Sequence, residues 1–71
     1  MSMRRMKAER LRRKWTQTKL GARAEVSASD VSRIESGRFI PYPGQARRLA
    51  RALGLALDEL LEPVTGTEDA A

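Results

Sequence analysis

Apolar positions recur at helical spacing along most of the chain, interrupted at a few hydroxyl, glycine and proline positions. The run from Met3 to Lys14 has no Gly or Pro and is rich in strong helix formers. Met3, Met6 and Leu11 fall roughly on one side of it, with Arg4, Arg5, Arg12 and Arg13 elsewhere, which predicts one helix that frays at its start. Thr16 is a good N-cap, and residues 17–24 predict a short helix with Leu20 and Ala24 on one face. After Glu25-Val26, Ser27 is a second hydroxyl cap. It opens a helix over Ala28 to Ser36 with Val31 and Ile34 at i, i+3. Gly37 suits the left-handed position that follows a helix.

Two prolines disfavour helix over residues 38–43, so that stretch reads as a loop. Pro43 suits the start of a fourth helix that runs to Leu53, with Ala46, Leu49, Ala50 and Leu53 as its core stripe and Gly54 as its end. Leu55 and a short last helix over Leu57 to Leu61 supply further core, and Pro63 stops it. The pattern predicts an all-α fold of five helices and no strand. The domain covers residues 1–62, and residues 63–71 form a short, acidic, frayed tail. Helices two and three, each opened by a hydroxyl cap and separated by about three residues, carry the local signature of a helix-turn-helix.

Composition narrows the chemistry. The chain of 71 residues has no Cys and no His. That excludes disulfide scaffolds, thiolate metal sites and thiol nucleophiles, and it removes the commonest general base and metal ligand. Neither a metal nor a cofactor is expected, and an enzyme is a distant reading. No apolar run approaches a membrane span or a signal peptide, so the expected address is the cytoplasm. The first helix is basic, but its apolar face is too thin for a membrane-surface helix.

The net charge of +5 hides an uneven pattern. Residues 1–57 hold all 14 bases and 4 acids, whereas residues 58–71 hold 5 acids and no base. A basic body with an acidic tail points to a polyanionic partner, with nucleic acid the leading choice; double-stranded DNA is the form expected.

The sequence resembles the Cro/C1-type (XRE) helix-turn-helix family of phage repressors and bacterial regulators. The resemblance rests on Thr16-Gln17-Thr18-Lys19-Leu20, Val26-Ser27, Val31-Ser32-Arg33-Ile34-Glu35-Ser36-Gly37-Arg38 and Pro41. Leu49-Ala50, Ala52-Leu53-Gly54-Leu55 and Asp58-Glu59-Leu60-Leu61 complete it, from about Met6 to Glu62. It implies a compact lambda-repressor-like domain of five helices, whose third helix enters the major groove while the second lies across the backbone. Two positions depart from the family pattern. Glu25 stands in the turn where Gly is usual, and Gly21 stands where Ala is common, which by helix propensity weakens the second helix slightly.

Ser27, Ala28, Ser29, Ser32 and Arg33 are the candidate base contacts, on the side of the third helix opposite Val31 and Ile34. Arg33 is the best reader, because its guanidinium fork matches guanine O6 and N7. Asp30 is unfavourable beside phosphates unless it accepts from cytosine or holds Arg33 in place. Gln17, at the start of the second helix, suits a phosphate, as do Thr16, Lys14, Ser36, Arg38 and Tyr42 around it and after the third helix. Phe39 reads as loop packing on the core, and Trp15 as core. The resemblance also implies a structural ion pair between Arg10 and Glu35.

Leu57, Leu61 and Val64 are hard to bury in one small domain, and the resemblance implies dimerisation around the last helices, which makes them the candidate dimer interface. The expected function is a sequence-specific transcriptional regulator, a repressor in the first instance, that binds a palindromic operator as a homodimer. The alternatives are a DNA-binding antitoxin with a toxin partner, or the controller protein of a restriction–modification system.

Overall fold

The computed structural model describes residues 3–64. In chain order these form strand β1 (Met3–Arg4), helices α1 (Arg5–Arg12), α2 (Gln17–Ala24), α3 (Ala28–Glu35) and α4 (Pro43–Leu53), a 3-10 turn (Leu57–Glu59) and strand β2 (Pro63–Val64). Met6, Leu20, Val31, Ile34, Leu49, Leu53 and Leu60 are fully buried and fill the space between the helices. Trp15, Phe39, Ala46, Ala52, Leu55 and Leu61 pack around them. The core stripe expected on α4 is the one observed.

The caps follow the hydroxyl chemistry. Thr16 Oγ1 accepts from the Lys19 amide at 2.9 Å, and Ser27 Oγ from the Asp30 amide at 3.1 Å. Each satisfies a helix-start N–H that has no intrahelical partner.

Four expectations need correction. The described residues contain four α-helices rather than five, because Leu57–Glu59 closes only a 3-10 turn. So short a segment before Pro63 cannot offset the cost of helix nucleation, and it is held instead by burial of Leu60. The expectation of no strand also fails: Met3 pairs antiparallel with Val64, and Arg4 with Pro63. The first helix therefore starts at Arg5, where the Arg5 and Met6 amides donate to the carbonyls of Glu62 and Leu60 at 2.7 and 3.1 Å. These remote acceptors replace a side-chain cap, which α1 lacks.

For the same reason Pro63 and Val64 belong to a ribbon rather than to a frayed tail; residues 65–71 of that expected tail lie outside the described residues. Finally, Leu11 is 47 % exposed, because α1 turns Met6 and Arg10 inward at i, i+4. A charged residue takes the core position that the apolar pattern assigned to leucine.

Candidate nucleic-acid interface

The α2–α3 unit is built around one left-handed residue. Glu25 has φ 58° and ψ 44°, and the amides of Glu25 and Val26 both return to the Gly21 carbonyl. Arg48 reaches across from α4 to this turn. Its Nε donates to the Ala24 carbonyl at 2.9 Å and its Nη2 to the Glu25 carbonyl at 3.3 Å, giving the last carbonyls of α2 a charged donor.

A left-handed non-glycine residue costs roughly 1–2 kcal/mol, and glycine forfeits roughly 0.5–1 kcal/mol of that gain through its freer unfolded chain. Glu25→Gly should therefore stabilise the domain by up to about 1 kcal/mol, visible as a melting temperature several degrees higher. An unchanged or lower melting temperature would show that the turn carries no strain.

Gly21 is the closest approach in the unit. A Cβ there would lie 2.4 Å from the Val26 carbonyl oxygen and 3.4 Å from the Ala28 nitrogen. The propensity reading, in which glycine only weakens α2, is corrected: the turn folds back so tightly that a larger residue requires the backbone to shift.

Beneath α3 runs a buried polar network. Glu35 receives Arg10 Nε at 2.7 Å and Arg10 Nη2 at 3.1 Å, and Gln17 Nε2 adds a third bond at 3.1 Å. The remaining end of the guanidinium, Nη1, donates to the Trp15 carbonyl at 2.7 Å. Arg10 and Glu35 are 7 % and 8 % exposed. With each guanidinium nitrogen and both carboxylate oxygens hydrogen-bonded, the fork joins α1, the start of α2 and the end of α3 into one body. Gln17 thus spends its amide group on Glu35, while its helix-start position leaves the α2 N-terminus at the surface beside exposed Thr16 and Lys14.

On the outer side of α3, Ser27, Ser29, Ser32 and Arg33 are exposed and Ala28 is half-buried. Arg33 Nη2 donates to Asp30 Oδ1 at 2.6 Å, and its guanidinium sits 5.9 Å from the centroid of the Phe39 ring. The other Asp30 oxygen accepts from Gln45 Nε2 at 3.0 Å, and Gln45 Oε1 in turn accepts from the Tyr42 amide at 3.0 Å. A chain of contacts from Phe39 through Arg33, Asp30 and Gln45 to Tyr42 therefore holds the reader and ties α3 to the start of α4. Phe39 is half-buried against the core and meets Tyr42 edge to face, with ring centroids 5.5 Å apart. Tyr42 itself is exposed, as are Ser36 and Arg38, and the Ser36 hydroxyl donates to the Arg33 carbonyl.

The Arg33 guanidinium holds the Asp30 carboxyl below the usual aspartate range; partial desolvation opposes this, and the Gln45 and Ser27 hydrogen bonds add to it. A carboxyl with a lowered folded-state pKa contributes stability above its unfolded value of about 3.9 and loses it as pH falls through the folded value. Carboxyl NMR titration should place the Asp30 midpoint below about 3.9, and Arg33→Ala should return it upward. A midpoint that ignores Arg33 would break the pair as a functional unit.

Leu57 is 53 % exposed, and Leu61 and Val64 are half-buried, so these three candidate contact residues keep apolar surface in the single chain.

A family model described as a helix-turn-helix domain matches residues 4–63. The chain belongs to the helix-turn-helix domain family. No curated protein matches its sequence. Membership supports a DNA-binding role for the α2–turn–α3 unit. No helix among the described residues is long and apolar enough to cross a membrane.

Arg48, Gln45 and Arg13 escaped sequence reasoning. Gln45 carried a usable signal, standing three residues after the residue that caps a proline-opened helix, the place of a reciprocal capping glutamine. Arg48 and Arg13 had none, since their carbonyl partners lie on other helices: Arg13 Nη2 donates to the Leu53 carbonyl at 3.0 Å.

Proposed function

We propose that this helix-turn-helix protein is a Cro/C1-type transcriptional regulator that reads an operator through α3. The observation that carries this reading is the exposed row Ser27, Ser29, Ser32 and Arg33 on a helix braced from two sides. Arg10, Glu35 and Gln17 hold it from beneath, and Asp30 and Gln45 hold it beside α4. Arg33 keeps several N–H groups beyond the one given to Asp30, which leaves a fork for guanine O6 and N7. Asp30 orients that fork and is a positioning residue.

Thr16, Lys14 and the α2 N-terminus take one backbone phosphate strand, and Ser36, Arg38 and Tyr42 the other. The protein acts as a homodimer through Leu57, Leu61 and Val64 and represses by occupying its site. Two recognition helices then lie one turn of DNA apart, about 34 Å.

Selection of bound duplexes from a random pool tests this. A palindrome with half-sites about ten base pairs apart is the expected product. Arg33→Ala should then lose roughly 1–3 kcal/mol of preference at one guanine per half-site, with the other positions kept. If nothing is enriched and affinity only falls steeply with salt, the protein attracts phosphate without reading sequence, and the operator reading is abandoned.

A further inference from the structure

A second cationic surface runs along α4 from the edge of the reading face. Two clefts, of about 160 and 260 Å³, run along α4 and share Arg48 and Arg51. The first is completed by Gly44 and Arg47, the second by Arg23, Ala24, Glu25 and Ala52. Arg48 is committed to the Ala24 and Glu25 carbonyls, but Arg23, Arg47 and Arg51 make no salt bridge among the described residues. Trp15 positions Arg23, whose guanidinium lies 5.3 Å from the centroid of its ring. Glu25 is the one acid on the lining, against four arginines.

We infer that this groove binds the phosphate backbone of a second DNA segment, so that the protein bridges duplexes. The occupant follows from three features. All four cations are arginines, whose forked donors match phosphate oxygens. The rest of the lining is Gly44, Ala24, Ala52 and the single acid Glu25, with none of the large apolar anchors on which protein interfaces depend, so the partner is a charged backbone rather than an acidic protein. The groove also departs from the reading face. Arg23 stands in the last turn of α2, about 9 Å along the helix axis from the phosphate-facing start at Gln17. The α4 row leads from Gly44, next to the Asp30–Gln45 contact, toward the far end of that helix.

The test loads the full chain on an immobilised operator duplex, removes excess, and offers a labelled duplex of unrelated sequence. Wild type should capture the labelled duplex. With three phosphates neutralised, capture should fall about 40-fold between about 50 and 200 mM salt. The variant R23Q/R47Q/R51Q should lose capture by about tenfold or more and keep its affinity for the operator. R47Q/R51Q, which spares the Arg23–Trp15 contact, should show most of that loss at an unchanged melting temperature.

Absence of capture, or equal capture by these variants, overturns the inference. So does a loss of affinity for a short operator alone, which would put the groove on the same duplex. Capture that disappears with Arg33→Ala instead would assign it to the recognition helix of a dimer partner, and overturns it too. Failure of the operator reading registers separately, as a selection that enriches nothing; capture is then compared between two unselected duplexes with the same variants.

Discussion

Glu35→Ala should cost about 3–5 kcal/mol, because it leaves the Arg10 guanidinium buried without its counter-charge. A domain of this size has little stability in reserve, so the variant should be largely unfolded near room temperature in thermal or urea melts. Gln17 loses its acceptor at the same time, so the damage reaches the start of α2 as well as the end of α3. The informative comparison is the double variant R10M/E35L, which removes both charges and keeps apolar volume. Replacing a buried pair in this way is commonly neutral or stabilising by about 1–4 kcal/mol. The double variant should therefore refold, which would show that the network sets the mutual orientation of three helices more than it adds net stability. A single variant within about 1 kcal/mol of wild type would mean that water reaches the pair, contrary to its burial.

The second large effect is expected from the smallest substitution. Gly21→Ala adds one methyl group to an α-helix, and on an exposed helix it would stabilise by about 1 kcal/mol. Here the added carbon meets the Val26 carbonyl, a backbone atom that cannot rotate away. Relief requires the turn to lift and α3 to move with it, so a loss of about 1–3 kcal/mol is expected instead. Because the displaced element is the recognition helix, affinity for a selected operator should fall by more than the unfolded fraction explains. Circular dichroism melts alongside binding isotherms separate the two contributions. A stabilised Gly21→Ala protein would show that the turn can relax.

The legible parts of this protein were those written in local pattern. The hydroxyl caps at Thr16 and Ser27, the Val31/Ile34 pair and the α4 stripe each depend on neighbours within a turn or two. Two features were hidden because their causes are long-range. The ribbon of Met3–Arg4 with Pro63–Val64 joins residues from opposite ends of the chain, and neither dipeptide is long enough to announce a strand. The outward turn of Leu11 follows from Arg10 turning inward to Glu35; the resemblance implies that pair, but hydrophobicity alone gives the opposite assignment for Leu11. Gly21 misled for a related reason. Propensity scales describe a helix in isolation, and they carry no information about a carbonyl that folds back onto it.

In the candidate site, the exposed serines and Arg33 could be placed from helical spacing and the family resemblance. The Asp30 half of the brace around Arg33 is also local, an i, i+3 pair, but the Gln45 half is not, since it rests on where the start of α4 lies beside α3. Asp30 is unfavourable beside phosphate unless it accepts from cytosine or holds Arg33, and the structure shows the contact with Arg33. With Gln45 on its second oxygen, its charge is shared between two donors, and it becomes part of the frame that presents the reader.

The closure of α1 by carbonyls from Leu60 and Glu62 has a consequence for how the protein is made. Helix α1 has no side-chain cap of its own, and its first amides find their acceptors only when almost the last described residues have been translated. At eight residues it is too short to persist alone. A nascent chain halted before Leu60 therefore holds the recognition helix and its bracing residues, but not the acceptors that close α1, the helix that carries Arg10. Truncation there should loosen the α1 side of the brace beneath α3, visible as a lower melting temperature than the full chain shows.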